Sequence, residues 1–430
     1  MTATTTSDPA QPAAASVVRP CEREAFRFWL KLGCISFGGP AGQIAIMHDE
    51  LVERRRWISE RRFLHALNFC MALPGPEAQQ LASYIGYSLY GVRGAITSGG
   101  LFVAPSFVVL CALSGVYVEY GDVTAVEGVV RGLGAAVVAL VAAAVIRVGG
   151  RVVHTPAALA LAAAAFVSIM AGVPFPLIIA VAAAVGYAAG RLDPSLLGRP
   201  SGHGSEEDEA GAGEALGVSV RRRLARGLAI WLIPLVVLIA VGGVVGDLAG
   251  FFTVAALVTF GGAYAVLPYV ATQAVNHYGW LTSKDMVAGL ALGESTPGPL
   301  IMVNTFVGFV AGYRVEGGLG WGLLGATVAT LATFVPSFVF IITGAPVIDR
   351  IRATGSFATG LNGVTISVVG VIAGLAVFVA RHALVADGRP EWVLTALAVA
   401  AFVAVWRYGI GIIPVVAACA AVGIADAVIG

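Results

Sequence analysis

Charge is what this sequence has least of. Only 12% of its 430 residues are Asp, Glu, Lys or Arg, against about a quarter in an ordinary soluble domain. A soluble chain of this length could not cover its surface with so few charges. Lys and Arg number 26 and Asp and Glu 25, a net charge of +1. No basic excess therefore points to nucleic acid. The five cysteines (Cys21, Cys34, Cys70, Cys111 and Cys419) form no CxxC pair and read as packing residues. The six histidines show no metal-ligand spacing, so neither metal nor cofactor is expected. No GxxxxGKS or GxxxxGKT phosphate loop occurs, which argues against ATP drive. No paired ligands or nucleophile–base arrangement suggests an enzyme. Residues 1–20 have no apolar core of the signal-peptide kind, so the first apolar segment is expected to target the chain.

What the sequence does have is apolar runs. Hydrophobic residues make up 58%, glycine contributes 55 residues, and mean hydropathy is +0.87. Thirteen apolar segments fall near 26–47, 63–90, 94–118, 123–146, 155–171, 174–190, 226–246, 250–272, 285–312, 317–342, 357–380, 391–406 and 409–428. Most approach the roughly 20 residues that cross a bilayer as a helix. The reading is an all-α polytopic protein, multi-pass in the cell's inner (plasma) membrane, with the lipid bilayer as its medium.

An internal repeat organises these segments. Ser36-Phe37-Gly38-Gly39 returns as Thr259-Phe260-Gly261-Gly262, and Trp57-Ile58-Ser59 as Trp280-Leu281-Thr282. Pro74-Gly75-Pro76 returns as Pro297-Gly298-Pro299, and all three correspondences share an offset of 223 residues. Pro105-Ser106-Phe107 recurs as Pro336-Ser337-Phe338 at offset 231. Three motifs in one register indicate duplication. The expected organisation is a disordered tail (1–20), a first repeat (21–190), a cytoplasmic linker (191–225), a connecting transmembrane helix (226–246) and a second repeat (247–430). The linker carries the acidic run Glu206-Glu207-Asp208-Glu209 and then Arg221-Arg222-Arg223. With six segments per repeat, one extra crossing turns the second repeat upside down relative to the first. If every segment crosses, Arg54, Arg55, Arg56, Arg61 and Arg62 land together outside, against the positive-inside rule. If the motif-bearing segments dip in and return, these arginines stay inside. Partly re-entrant motif segments are therefore expected, and both arrangements give inverted repeats.

The motifs are poor continuous helix. Proline lacks an N–H and clashes with the preceding turn, yet it suits the first position of a new helix. Pro76-Glu77-Ala78-Gln79-Gln80 and Pro40-Ala41-Gly42-Gln43 read as helices beginning at membrane depth. Gly261-Gly262-Ala263-Tyr264 and Pro299-Leu300-Ile301 repeat the plan. Each helix start carries about half a positive charge and free N–H donors. Two to four of them together would supply roughly +1 to +2, which suits a dianionic oxyanion. Gln43, Gln79, Gln80 and Asn304 are expected to add amide donors. Packing kinks with glycine for close helix approach are the alternative reading. Paired interrupted segments in two halves mark a transporter binding site.

The few charges inside apolar segments need an explanation each. Glu77 follows one PGP and Glu294 precedes the other. Beside a bound dianion, each would have to be protonated or paired. A first-turn acid on its own helix dipole is the equal alternative reading of Glu77. Lys31 and Arg131 are candidate charge partners. For Lys31 the other reading is a side chain that snorkels to the surface. For Arg131, an i,i+4 pair with Glu127 is the favoured reading. The run Glu53-Arg54-Arg55-Arg56-Trp57 is expected to anchor the chain at the interface. Gly128, Gly132 and Gly134 could pack within one chain or in a homodimer.

Four stretches carry a resemblance to a known family: FGGPAGQIAIMHDELVERRRWIS (37–59), RFLHALNFCMALPGPEAQQLASYIGY (62–87), TFGGAYAVLPYV (259–270) and GWLTSKDMVAGLALGESTPGPLIMVNTFVGF (279–309). The chain resembles the chromate ion transporter superfamily in its long, two-domain form. The resemblance implies efflux of chromate from the cytoplasm, conferring resistance, with sulfate as a look-alike. It carries the family motifs onto Phe37, Gly38, Gly39, Pro40, Pro74, Gly75, Pro76 and Glu77. In the second half they fall on Phe260, Gly261, Gly262, Glu294, Pro297, Gly298 and Pro299. Membrane potential is the expected drive, with proton coupling optional. A transporter of sulfate or another oxyanion, or an anion channel of the same architecture, stands as the alternative.

Overall fold

Lipid offers no partner to backbone N–H and C=O groups, so each apolar run must satisfy them within itself, as a helix. The computed structural model describes residues 19–37, 39–193, 195–198, 218–345, 355–386 and 388–429. Among these the first half runs α1 (Glu22–Ile35), α2 (Gly39–His48), α3 (Glu60–Ala72), α4 (Glu77–Tyr120), α5 (Thr124–Val152), α6 (Pro156–Met170) and α7 (Phe175–Leu192). A joining helix follows, α8 (Val218–Val241). The second half comprises α9 (Gly243–Leu257), α10 (Ala263–Thr272), α11 (Ser283–Ser295), α12 (Val303–Glu316), α13 (Leu319–Gly344), α14 (Gly355–Ala383), α15 (Trp392–Tyr408) and α16 (Ile412–Ile429). Seven helices (α4, α5, α7, α8, α13, α14 and α16) are long and apolar enough to cross a membrane. The protein is an all-α, multi-pass membrane protein.

The two halves share an order of elements. In each, a helix stops at the FGG motif, restarts, loosens into one wide π-type turn and ends. A further helix then stops at PGP and another begins beyond it. α1 has 14 residues and α2 has 10, so at 1.5 Å per residue each is about 15–21 Å long, too short to span alone. α4 is not one rod. At Tyr90 (φ −137°) and Gly91 (φ 63°) it folds back on itself, and Ser98 Oγ donates to the Ala82 carbonyl at 2.8 Å. A Cβ at Gly86 would collide with the Gly94 carbonyl, so only glycine lets the arms touch. α12 and α13 form the same hairpin, closed where Gly308 and Gly325 meet.

The halves are interlocked. α5 of the first half packs on α15 and α16 of the second, while α14 of the second packs on α6 and α7 of the first. Lipid tails are as apolar as the helices they replace, so small residues and close backbone approach must provide the attraction. Gly132 lies against the Cys419 carbonyl, Gly128 against Gly423, and Gly186 against Gly363. Gly134 meets Ala383 and Val287. The glycine face of α5 is therefore used inside one chain.

Several expectations shift. The joining helix ends at Val241, not 246, because Gly242 and Gly243 take positive φ and the second half starts there. Arg221-Arg222-Arg223 belong to the start of α8 rather than to the linker. The acidic run and residues 1–18 lie outside the described residues. Among the described residues one short antiparallel pair of strands, Val385–Ala386 with Arg389–Pro390, interrupts the helices. Trp57 is buried beneath Arg55, and Arg55 pairs with Glu24 at 3.0 Å. Cys70, Cys111 and Cys419 are buried as expected, but Cys21 and Cys34 are exposed.

Candidate functional site at the crossed motifs

Each break hands its backbone to the other half. The Gly75 N–H donates to the Thr259 carbonyl at 2.8 Å, and the Gly298 N–H donates to the Ser36 carbonyl at 2.8 Å. Ser36 and Thr259 precede the two FGG motifs, so one bond is made twice with the halves exchanged. Their hydroxyls donate back to Leu32 and Ala255, both at 2.6 Å. Gly75 (φ 123°) and Gly298 (φ 110°) hold backbone conformations that L side chains rarely adopt. Space excludes a side chain as well. A Cβ on Gly298 would lie 2.6 Å from Ser106 Cβ, and one on Gly75 would strike Ser337 Oγ. Each PGP glycine thus rests on the PSF serine of the opposite half.

Helices begin beside these breaks without side-chain caps. α4 starts after Pro76, and the helical stretch from Leu300 into α12 starts after Pro299. α10 starts after Gly262 (φ 100°), also uncapped by a side chain. Pro76 and Pro299 stand just outside their helices rather than at the first position. α2 begins at Gly39 with Pro40 second. Gly38 lies outside the described residues.

The amides act differently from the expectation. Gln43 Nε2 donates to the Gly298 carbonyl at 2.7 Å and, more weakly, to Ser36 O at 3.4 Å. Gln80 Nε2 donates to the Pro74 carbonyl at 2.8 Å. Gln79 Nε2 donates to Ser83 Oγ at 3.0 Å, and Asn304 Nδ2 to Thr333 Oγ1 at 3.1 Å. Breaking a helix frees carbonyl oxygens that must find donors away from water. Gln43 and Gln80 supply those donors to the motifs, Gln80 with one of its two N–H groups. Their side-chain oxygens, with those of Gln79 and Asn304, are buried without a partner among the described residues.

Glu294 is buried and accepts a 2.6 Å hydrogen bond from the Tyr264 hydroxyl. The Tyr264 ring reaches to Gly39, so this pair joins α11 to both FGG segments. Glu77, half-buried, opens α4 at the other break. Phe37 and Pro40 are half-buried at the first FGG, and Pro297 at the second PGP. Phe260 packs against the main core, and Gly261 (φ 74°) approaches Val368 of α14. Lys31 stands exposed on α1. Arg131 has other company than Glu127. It pairs with Glu391 at 2.9 Å and Asp426 at 3.3 Å. The close glycine contact between α5 and α16 carries Asp426 to it, and Glu127 faces Lys284 at 3.5 Å instead. His48, Glu53 and Glu60 present ligand atoms within 4.8 Å of one another, which the histidine spacing gave no sign of. His48 hydrogen-bonds Glu60 at 2.6 Å, so that cluster coheres without an ion.

The residues missed from the sequence are Ser36, Thr259, Ser106 and Ser337. Their signal was present: each stands beside or within a motif that occurs in both halves.

Interrupted helices meeting inside a multi-pass bundle, with polar groups buried at the breaks, define a membrane transporter. The chromate transporter family profile matches residues 23–187 and 246–424, and the chain belongs to that family. It is 31% identical over 363 residues to a probable chromate transport protein of Synechococcus elongatus, covering 83% of this chain and 84% of that one. It is 32% identical to the chromate transport protein of Pseudomonas aeruginosa, covering 83% and 80%. Against that of Cupriavidus metallidurans it is 29% identical, covering 84% of each. No solved structure matches.

Proposed function

We propose that this protein exports chromate from the cytoplasm as a carrier, with the crossed motifs forming its anion site. The observation that supports the reading most is the reciprocal pair of bonds, Gly75 to Thr259 and Gly298 to Ser36. It ties each PGP helix start to the FGG segment of the other half, and the anion is taken to sit where these segments cross, because the dipole of a helix start favours an anion. The two halves are taken as inverted repeats about that place, so rocking one against the other exposes the site to each side in turn. Sulfate shares the shape and charge of chromate and is the expected competitor.

Moving one charge across the membrane is worth about 2.3 kcal/mol per 100 mV. A dianion leaving an inside-negative cell gains about 4.6 kcal/mol per 100 mV, more than three decades of gradient at about 1.4 kcal/mol each. Export therefore requires neither ATP nor an obligatory proton. In inside-out vesicles, protein-dependent chromate accumulation is expected. It should quicken under a lumen-positive potassium-diffusion potential and slow with excess sulfate. Accumulation indifferent to the potential would overturn the drive, and none despite confirmed insertion would overturn the substrate.

A further inference from the structure

We propose that Ser106 and Ser337 are the side-chain donors that bind the transported oxyanion. The inference rests on the anion-site reading above and names its ligands. Ser106 is 1% and Ser337 0% exposed, and neither hydroxyl has a hydrogen-bond partner among the described residues. A buried hydroxyl on a helix ordinarily donates to the carbonyl four residues back. In α13, the helix that carries Ser337, Thr330 and Thr333 do so at 2.7 and 2.8 Å, as does half-buried Thr343 at 2.6 Å. Ser106 and Ser337 leave that bond unmade at the positions where the motifs cross.

Three observations converge on them. Each follows a proline inside its helix, Pro105 and Pro336. Each touches the PGP glycine of the opposite half, where an uncapped helix begins. And the two are counterparts in the repeat, so they stand to the two breaks in the same relation. Ser114 Oγ and Thr253 Oγ1 also lack partners, but Leu30 and Ala345 occupy the corresponding places of the other half. Each amide at the site already donates to a carbonyl or a neighbouring hydroxyl, and its free oxygen would repel an anion. The serines can only gain by donating. A tetrahedral dianion has a two-fold axis and accepts through every oxygen, so two equivalent donors from two halves match it.

Equilibrium binding of radiolabelled chromate and sulfate to the purified full-length protein tests this. Ser106→Ala and Ser337→Ala should each weaken binding of both anions about tenfold, equivalent to about 1.4 kcal/mol. Their melting temperatures should stay near wild type, and Ser114→Ala should bind as wild type does. In vesicles, the same two variants should raise the chromate KM and leave the maximal rate within about twofold. Wild-type affinity in both serine variants overturns the assignment, as does an equal loss in Ser114→Ala. Binding that depends on the serines in a protein that moves neither anion would overturn the transport reading and leave the serines standing. A wild-type protein that binds neither anion would overturn both.

Discussion

In α10 seven of 10 residues are buried; in α2, its counterpart, only Gln43 and Met47 are. In α11 ten of 13 are buried, against Phe63, Ala66 and Cys70 in the 13 residues of α3. One backbone plan thus sits at two depths. α11 is packed by α5, α12 and α14, and α10 by α14, whereas α2 and α3 rest chiefly on α4. Composition follows: the outer arm carries His48, Glu60, Arg61, Arg62 and His65, while α10 is Ala, Val, Leu, Tyr, Pro and Thr throughout. A segment with few packed neighbours opens at low free energy. On this ground the first-half arm is expected to be the easier one to displace.

Three substitution pairs sharpen or break this contrast. The largest effect is expected at the breaks, where Gly298→Leu and Gly75→Leu each force a side chain into the opposite serine and into an unfavourable φ. Chromate transport by either should fall at least about tenfold, the rate equivalent of about 1.4 kcal/mol. The melting temperature should drop further for Gly298→Leu, which has less room to relax. Normal vesicle uptake by both variants would show that the crossing is dispensable.

The next effect belongs to Asp285, buried at 3% exposure. Arg314 grips it with both guanidinium nitrogens, Tyr117 donates at 2.7 Å, and Thr282 completes a capping box. Arg62 and Gly91 occupy the corresponding places of the first half, so that arm lacks the clamp. Arg314→Gln leaves a buried carboxylate without its cation, at a cost of about 2–3 kcal/mol, less than for a fully buried pair because the Arg314 side chain is itself 42% exposed. Glu60→Gln breaks only the exposed pair with His48 and should cost at most about 1 kcal/mol. Equal losses in thermal unfolding would contradict the difference in depth.

The smallest contrast compares Leu267→Ala with Ile44→Ala, which occupy equivalent positions in α10 and α2. Leu267 is fully buried and Ile44 only partly. Truncating the first should cost about 2–5 kcal/mol, and truncating the second less than half of that. Denaturation in a single detergent reads both.

Much of this was legible in residue order. Apolar runs marked most of the helices, and Gly-Gly and Pro-Gly-Pro marked where they break. Ser36-Phe37-Gly38-Gly39 against Thr259-Phe260-Gly261-Gly262 exposed the duplication. The fate of individual polar groups was not legible. Gln43 looked like a donor for a ligand until its amide was found on Gly298, 255 residues away. Arg131 had a carboxylate four residues off in Glu127, yet two distant ones hold it because α16 lies against the glycines of α5.

The sequence by itself determined the medium, the helices and their breaks, because these depend on local hydropathy and on backbone rules for glycine and proline. Only the tertiary structure decided which carbonyl each break would meet, which half would be buried, and which hydroxyls would be left without partners. A buried hydrogen bond is settled by what is nearest once the chain has packed, and that proximity is set by helices far apart in sequence.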